Sequence, residues 1–256
     1  GVVIKPAAAE VVMNIREFPI TTDTSDQYLP DIDGNHIVYQ DNRNGNWDIY
    51  LITYMGVSMP ETRITTNLSN QINPAISGNY IVWQDDRNGN WDIYLYDIGT
   101  QAETQITNNT AAQVNPAIDG NRVVWQDDRN GNDEVYLYDL LAHTETRITY
   151  SLASQNPSIY GNYLVYKKTT GQYYSTIYYD TCVLDFTTWR EISVSASFDY
   201  FSSSQPQPVV FGDRVAFVAQ HGYYPNPPSN SDIVLKNLTN PYDDEWSTIS
   251  TAEQLS

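Results

Sequence analysis

The chain has 256 residues, a length that fits one all-β domain, because propellers and barrels of this size commonly form a single unit. Its formal net charge is −18, and 31 acidic side chains stand against 13 Lys and Arg, so no basic patch is available to neutralise nucleic-acid phosphates. No stretch approaches the ~18 apolar residues of a membrane-spanning helix. The composition therefore argues against nucleic-acid binding and predicts no transmembrane segment.

The N-terminal part of the chain divides into two segments. Residues 1–9, GVVIKPAAA, are expected to form a flexible lead and look like the start of a secreted chain after signal-peptide removal. Residues 10–21 end in EFPIT, which corresponds to the ETRIT segment at Glu61–Thr65. They predict an extra strand that either closes the fold within its own molecule or pairs with a neighbouring copy.

The central feature of the chain is a block that occurs three times. It reads QDNRNGNWDIYL at Gln40–Leu51, QDDRNGNWDIYL at Gln84–Leu95 and QDDRNGNDEVYL at Gln126–Leu137. The starting positions are 44 and 42 residues apart (84 − 40 and 126 − 84). A period of this length indicates a repeated supersecondary unit, usually of four short strands.

Each repeat contains four strand-like runs, here named A to D, which are rich in β-branched and aromatic residues and separated by Gly, Asn, Asp or Pro. The strands are apolar on both faces, as radially stacked blades require. The sequence therefore predicts an all-β, five-bladed β-propeller of four-stranded antiparallel blades, as one domain over residues 1–256. Six blades are the alternative, because six D-type segments are present. Run A ends in a recurring glycine, at Gly34, Gly78, Gly120, Gly161 and Gly212.

Runs B and C are joined through Asn88-Gly89 in the second repeat, a strong signal for a two-residue type I′ hairpin. This hairpin sets Asp85 opposite Asp92, and directly opposed like charges are unfavourable. Arg87, two residues after Asp85, is the expected neutralising partner. The equivalent acids in the first and third repeats are Asp41, Asp48, Asp127 and Glu134.

The same six acids are candidate ligands for Ca²⁺, which takes six to eight oxygens. The spacing disfavours a calcium loop, because Gly89 is used by the hairpin and Trp91 stands where such a loop has its second glycine. We therefore predict arginine neutralisation and no cofactor, with Ca²⁺ as the alternative. The single cysteine, Cys182, excludes an internal disulfide and is expected to be a small buried side chain.

Candidate ligand-binding residues lie at the loops that join runs B and C and at the channel. Trp47 and Trp91 are at two of these loop tips, and Asp31 lies on a channel-lining A run, so rings beside carboxylates could bind sugar. The alternative is that each Trp packs against the next blade. The fifth repeat replaces the compact turn with a longer Tyr- and Pro-rich loop, and irregular loops on a regular scaffold often carry function. Its candidate residues are His221, Tyr223 and Tyr224.

The phrase DDRNGNWDIYLYD, following GNYIVWQ, resembles the repeat of TolB-type β-propellers, and in particular the version found on archaeal and bacterial cell-surface proteins. The resemblance covers residues 17–256 and is strong for three repeats. It implies an extracellular or cell-surface location. The N-terminal α/β domain of TolB is not present in this sequence, which argues against a Tol-system role. N-glycosylation sequons begin at Asn67, Asn108 and Asn237.

Catalytic patterns are weak in this sequence. No Ser-His-Asp or metal-binding spacing is present, and no glutamate falls on a predicted A run. We therefore expect a non-catalytic binding or assembly module, whose partners are surface proteins, glycans or copies of itself through the N-terminal strand. The alternative is a carbohydrate-active enzyme or lectin with its site at the channel mouth, where two carboxylates would be needed for glycoside hydrolysis.

Overall fold

The computed structural model describes residues 17–150, 153–173, 176–194, 207–221 and 230–238. These residues form nineteen antiparallel strands in five separate sheets, and they contain no helix. Four sheets have four strands in sequence order, and the fifth has three among the described residues. The predicted all-β, five-bladed propeller is therefore confirmed. In the described part of the chain, no helix is long and apolar enough to cross a membrane.

Each blade follows the A–B–C–D order of the sequence repeat. The strands of blades 1 and 2 are β1 (Gln27–Asp33), β2 (His36–Asp41), β3 (Asp48–Thr53), β4 (Glu61–Arg63), β5 (Gln71–Ser77), β6 (Tyr80–Asp85), β7 (Asp92–Asp97) and β8 (Ala102–Gln105). Those of blade 3 are β9 (Gln113–Asp119), β10 (Arg122–Asp127), β11 (Glu134–Asp139) and β12 (Thr144–Arg147). Those of blades 4 and 5 are β13 (Ser154–Tyr160), β14 (Tyr163–Tyr173), β15 (Thr176–Asp185), β16 (Arg190–Ser193), β17 (Val209–Phe211), β18 (Arg214–His221) and β19 (Asn230–Asn237).

The apolar core lies between the blades. Four clusters of buried side chains each join two consecutive blades, and the largest fully buried side chains among them are Trp83 and Trp125. Burial of a large apolar side chain contributes roughly 1.5–3 kcal/mol, so these interfaces hold the ring together. A fifth cluster, of Tyr39, Tyr50 and Ile52, consists of blade 1 residues alone. Among the described residues, no cluster joins blade 5 to blade 1.

The connection between strands B and C differs from the predicted hairpin. Asp85 stands opposite Asp92, as predicted. However, six residues separate the two strands and Asn88 has a negative φ, so the prediction of a two-residue type I′ turn is wrong. The Gly89 N–H bonds to the Asp86 carbonyl at 3.0 Å, and Gly89 has a φ of +89°. The longer turn forms because Asp85 accepts the Arg87 N–H and thereby fixes the chain directly after β6.

The N-terminal strand prediction is only partly within the described residues. Residues 1–16 lie outside them, and residues 17–26 belong to no strand. Both the flexible lead and the extra strand over residues 10–21 therefore stay predictions.

Candidate functional site

The candidate ligand site of the described structure is a cavity in the central channel. Its volume is about 560 Å³, within the usual range of ligand sites, and all five A strands line it. The lining covers only the part of each A strand that runs towards the A–B turn, so the cavity lies in that half of the channel. The lining segments are Leu29–Asp33, Asn73–Ser77, Asn115–Asp119, Ser158–Tyr160, Gln207 and Val209–Phe211.

A ladder of amide side chains connects the blades at the inner end of this cavity. Asn73 donates to the side-chain oxygens of Gln84 and Asn115, each at 3.0 Å. Asn115 repeats the pattern with Gln126 at 3.2 Å and Asn156 at 3.1 Å. The three asparagines lie at bulges in strand A with φ between 54° and 56°, a region that Asn tolerates better than most residues. The ladder fixes the spacing of blades 2, 3 and 4.

Asp31 lines the cavity, as the sequence analysis expected. Its carboxylate accepts the backbone N–H of Ile76 in the next blade at 2.8 Å and that of Ile32 at 2.9 Å. Burial raises the pKa of the Asp31 carboxyl above its ordinary value, because desolvation outweighs these two hydrogen bonds, which act in the opposite direction. Asp31 therefore combines a structural contact between blades with a position on the cavity wall.

Two further carboxylates stand at the A–B turns. Asp33 accepts the N–H of Gly78 at 2.6 Å, and Asp119 accepts that of Gly161 at 2.8 Å. Each carboxylate thus fixes the turn of the following blade through one oxygen. The second oxygen of each takes no hydrogen bond from the described residues. That oxygen is available to a hydroxyl or ammonium group of a ligand.

The wall contributed by blades 4 and 5 is aromatic. The rings of Tyr160 and Phe211 have centroids 4.7 Å apart at an interplanar angle of 50°. Phe211 is 74% exposed, an unusual state for a Phe in a strand. Ile32 and Val209 add exposed apolar surface to the same cavity at 64% and 54%. The aromatic rings of the cavity therefore come from blades 4 and 5, while its carboxylates come from blades 1 and 3.

The opposed acids of each B–C pair are buried and are paired within the protein. Asp85 is fully buried and forms an ion pair with Arg87 at 2.5 Å, and Arg87 also pairs with Glu103 on strand D at 2.6 Å. The indole N–H of Trp83 donates to Asp85 at 3.1 Å. Arginine thus neutralises this acid, as the sequence predicted. In blades 1 and 3 the corresponding arginine also pairs with two acids, in the sets Asp41–Arg43–Glu61 and Asp127–Arg129–Glu145.

The second acid of each pair has a partner from strand D. In blade 2, Asp92 accepts from Asn88 at 2.9 Å and from Gln105 at 3.2 Å. Blades 1 and 3 have arginine at the position of Gln105. Arg63 pairs with Asp48 at 2.8 Å, and Arg147 pairs with Glu134. No group of three His, Cys, Asp or Glu able to hold a metal occurs in the described part of the chain.

The predicted tip tryptophans lie away from the cavity lining. Trp47 and Trp91 are half-buried, and the Trp47 ring lies 5.5 Å from the ring of Tyr28. The carbonyl of Trp91 accepts the N–H of Gln113 in the next blade at 2.8 Å, and Trp47 does the same for Gln71. The structure therefore separates these two residues from Asp31. Their role in ligand binding stays a prediction.

The remaining predicted residues are scattered over the fold. His221 ends β18, and Tyr223 and Tyr224 lie outside the described residues. The sequon residues Asn67, Asn108 and Asn237 are exposed.

Sequence analysis did not identify Lys167. It occupies the position that Gln84 and Gln126 hold in blades 2 and 3, and it is only 8% exposed. Burial lowers its pKa from 10.5 to about 8, because desolvation disfavours the ammonium form. The signal in the sequence that could have identified Lys167 is that a Lys stands where blades 2 and 3 have Gln.

Comparison with known proteins supports the fold. No protein-family model matches the chain, and no curated protein matches its sequence significantly. TolB from Acinetobacter baumannii is similar in structure, with 17% identity, a TM-score of 0.62 and coverage of 87% of this chain and 54% of TolB. A puromycin-hydrolyzing peptidase from Mycobacterium tuberculosis has 14% identity, a TM-score of 0.64 and coverage of 88% of this chain and 37% of the peptidase.

The β-propeller domain of the Trilobed protease from Pyrococcus furiosus is also similar, with 11% identity, a TM-score of 0.59 and coverage of 88% of this chain and 70% of that domain. At these identities the likeness concerns the fold alone. The chain spans about half of the TolB chain and little more than a third of the peptidase. The protein has a TolB-like β-propeller fold.

Proposed function

We propose that the protein is a non-catalytic binding module of the cell surface that takes a carbohydrate in the channel cavity, at the mouth formed by the A–B turns. The observation that carries this proposal is the asymmetry of the cavity. Positions related by the repeat carry carboxylates in blades 1 and 3 and aromatic rings in blades 4 and 5. A sugar ring has apolar C–H faces and hydroxyl edges, and it can contact both walls at once.

The size of the cavity agrees with this ligand class. A volume of about 560 Å³ accommodates a mono- or disaccharide, and the exposed Phe211 ring offers a flat apolar surface beside the acceptor oxygens of Asp33 and Asp119. Binding of a sugar would bury few polar groups without a hydrogen-bond partner, because each of these carboxylates keeps its bond to a backbone N–H of the protein.

A binding role is favoured over hydrolysis by the state of the cavity carboxylates. Glycoside hydrolases need two carboxyl groups that are free to exchange protons or attack carbon. Both oxygens of Asp31 accept backbone N–H groups, and Asp33 and Asp119 each hold a turn of the next blade. Proton transfer at any of them would weaken a contact between blades.

A glycan-array screen, run with and without EDTA, tests the proposal. We expect binding to a defined set of glycans that EDTA does not reduce. Recovered glycans should be chemically unchanged after prolonged incubation. Release of a reducing end would support the enzymatic alternative, and the absence of any bound glycan would contradict the carbohydrate proposal.

A further inference from the structure

The amide ladder follows a fixed pattern in blades 2 and 3. The side-chain NH2 group of each asparagine donates to two oxygens, as Asn73 does to Gln84 of its own blade and to Asn115 of the next blade, each at 3.0 Å. Each glutamine oxygen also accepts the backbone N–H of the next asparagine, as Gln84 accepts that of Asn115 at 3.0 Å. One NH2 group per blade therefore supplies hydrogens to two acceptor oxygens.

Blade 1 departs from this pattern because Leu29 stands at the asparagine position. Leu29 precedes Pro30 as Asn73 precedes Pro74, and its φ is +51° beside +56° for Asn73. A leucine is an outlier at positive φ, and its side chain donates no hydrogen bond. The backbone of blade 1 is thus shaped like that of the other blades, but it presents no amide to the ladder.

This substitution leaves two acceptor oxygens short of a donor. Gln40 is 6% exposed and accepts the Asn73 N–H at 2.9 Å, but its oxygen receives no side-chain bond from the described residues. The Asn73 side-chain oxygen likewise receives no bond from them. In blade 2 the corresponding oxygens, those of Gln84 and Asn115, both accept from one nitrogen, so the two open oxygens converge on one nitrogen position as well. Such oxygens favour any group that supplies the hydrogens.

This position is accessible from the channel cavity. Leu29 and Asn73 both line the cavity, and Leu29 is 52% exposed. Rotation of this one exposed side chain to another rotamer opens the two oxygens to a ligand and leaves the ladder of blades 2 to 4 unchanged. A donor group of the ligand then takes the place that the asparagine amide has in the other blades.

The charge of the cavity selects the kind of donor. None of the described residues that line it is Lys, Arg or His, whereas Asp31, Asp33 and Asp119 are acidic. A hydroxyl group supplies one hydrogen, while an ammonium group supplies three and is attracted by carboxylates. Two converging acceptors in an acidic cavity therefore fit an ammonium group better than a hydroxyl.

We propose that the cavity selects a carbohydrate with a free, non-acetylated amino group, and that Gln40 and Asn73 bind its ammonium at the break in the amide ladder. This inference rests on the proposed carbohydrate function and specifies its ligand class as an amino sugar. An N-acetylated sugar fits less well, because its amide has one hydrogen and no charge. An acidic sugar is repelled by the three carboxylates.

Titration calorimetry separates this inference from the proposed function. The ligands are the β-linked disaccharides of glucosamine, N-acetylglucosamine and glucose, which differ only at one carbon of each ring, together with cyclohexylamine, a cationic ring without hydroxyls. We expect the glucosamine disaccharide to bind about tenfold or more tightly than the two uncharged disaccharides, because hydrogen bonds to charged groups are the stronger class.

Each other outcome has a distinct meaning. Equal Kd values for the glucosamine and glucose disaccharides would overturn the inference and leave the proposed carbohydrate function standing. Cyclohexylamine binding as tightly as the glucosamine disaccharide would support ammonium recognition but overturn the carbohydrate function. Binding of none of the four ligands would overturn both.

Two substitutions of Leu29 test the assigned position. Leu29→Asn supplies the amide that blade 1 lacks, so Gln40 and Asn73 then have a donor within the protein. The preference for the glucosamine over the glucose disaccharide should fall about tenfold, and the Tm should rise by about 2–4 °C. Leu29→Ala removes the apolar side chain without supplying an amide and should keep the preference. Retention of the preference in both variants, or its loss in both, would overturn the assignment to these two oxygens.

A second pair of variants tests the cavity charge. Asp33→Asn keeps an oxygen for the Gly78 N–H and should weaken binding of the glucosamine disaccharide about threefold, with no change for the glucose disaccharide. Asp97→Asn is the matched control, because the Asp97 carboxylate also accepts a glycine N–H, that of Gly99 at 2.8 Å, but does not line the cavity. Equal affinities of the two variants for the glucosamine disaccharide would contradict the selection of a cation by the cavity.

Discussion

Replacement of Lys167 by glutamine should stabilise the protein at neutral pH. In blades 2 and 3 the residue at this position is Gln, and its side-chain oxygen accepts two hydrogen bonds from the asparagine ladder. Gln84 accepts from the Asn73 side chain and the Asn115 N–H, both at 3.0 Å. A protonated lysine offers only donors to the same ladder, so Asn156 of blade 4 meets no acceptor on the ammonium group.

The magnitude follows from the pKa of Lys167, which burial lowers from 10.5 to about 8. One pKa unit corresponds to about 1.4 kcal/mol, and partial solvation reduces the resulting cost of the buried charge to ~1–2 kcal/mol at pH 7. Lys167→Gln removes this cost. For a domain of this size the Tm should rise by about 2–8 °C.

The pH dependence has a defined sign. Because the folded-state pKa is depressed, the folded protein prefers the neutral amine, and the wild-type protein gains stability as pH rises from about 8 towards 10.5. The advantage of Lys167→Gln should therefore shrink over that interval. Calorimetry of both proteins at pH 7 and pH 10 measures it.

The neighbouring lysine provides the control. Lys168 forms an ion pair with Glu191 at 2.6 Å, so Lys168→Gln should give no gain at either pH. A Tm for Lys167→Gln at or below that of the wild type at pH 7 would refute the reasoning. So would an advantage that stays constant up to pH 10.

Three further predictions concern the repeated blades. Arg87→Gln should lower the free energy of unfolding by about 3–5 kcal/mol, because it leaves Asp85 buried without its cation. Arg63→Gln should cost clearly less, since blade 2 has a glutamine at that position. Urea unfolding compares the two variants, and equal losses of stability would contradict this prediction. Gly89→Ala should lower the free energy of unfolding by about 1–3 kcal/mol more than Gly171→Ala, because both sites have open space for a Cβ but only Gly89 has a positive φ. Similar unfolding midpoints for the two variants would show that the turn adapts. EDTA should change the Tm by less than about 5 °C if arginine alone neutralises the paired acids, and a larger fall would indicate a bound metal.

The repeat was sufficient to predict the blades, because a period of 42 to 44 residues and alternating strand and turn signals leave few other architectures. The facing of Asp85 and Asp92 was also predicted correctly, because strand ends pair in the same way for short and longer turns. The prediction of a two-residue type I′ turn at Asn88-Gly89 was wrong. The side chains of Asp85 and Asn88 organise the loop, and their hydrogen bonds compete with the backbone preference of an Asn-Gly pair.

The candidate site was less accessible from sequence. Asp31 was identified, but the Tyr160–Phe211 pair was not, because these residues are 51 positions apart and belong to the two least regular repeats. Their proximity depends on the ring bringing successive A strands together. The expectation that ligands bind at the loops joining strands B and C directed attention to Trp47, whereas the cavity lies in the opposite half of the channel.

The central claim is that the cavity at the A–B turns binds carbohydrate through its aromatic wall. Isothermal titration with the strongest array glycan tests it on three proteins, namely the wild type, Phe211→Ala and Leu141→Ala. Leu141 is the matched control, because it is also 74% exposed but does not line the cavity. Loss of one stacking surface costs about 1.4 kcal/mol or more, so Phe211→Ala should raise the Kd about tenfold while Leu141→Ala leaves it unchanged. An unchanged Kd for Phe211→Ala would contradict the account.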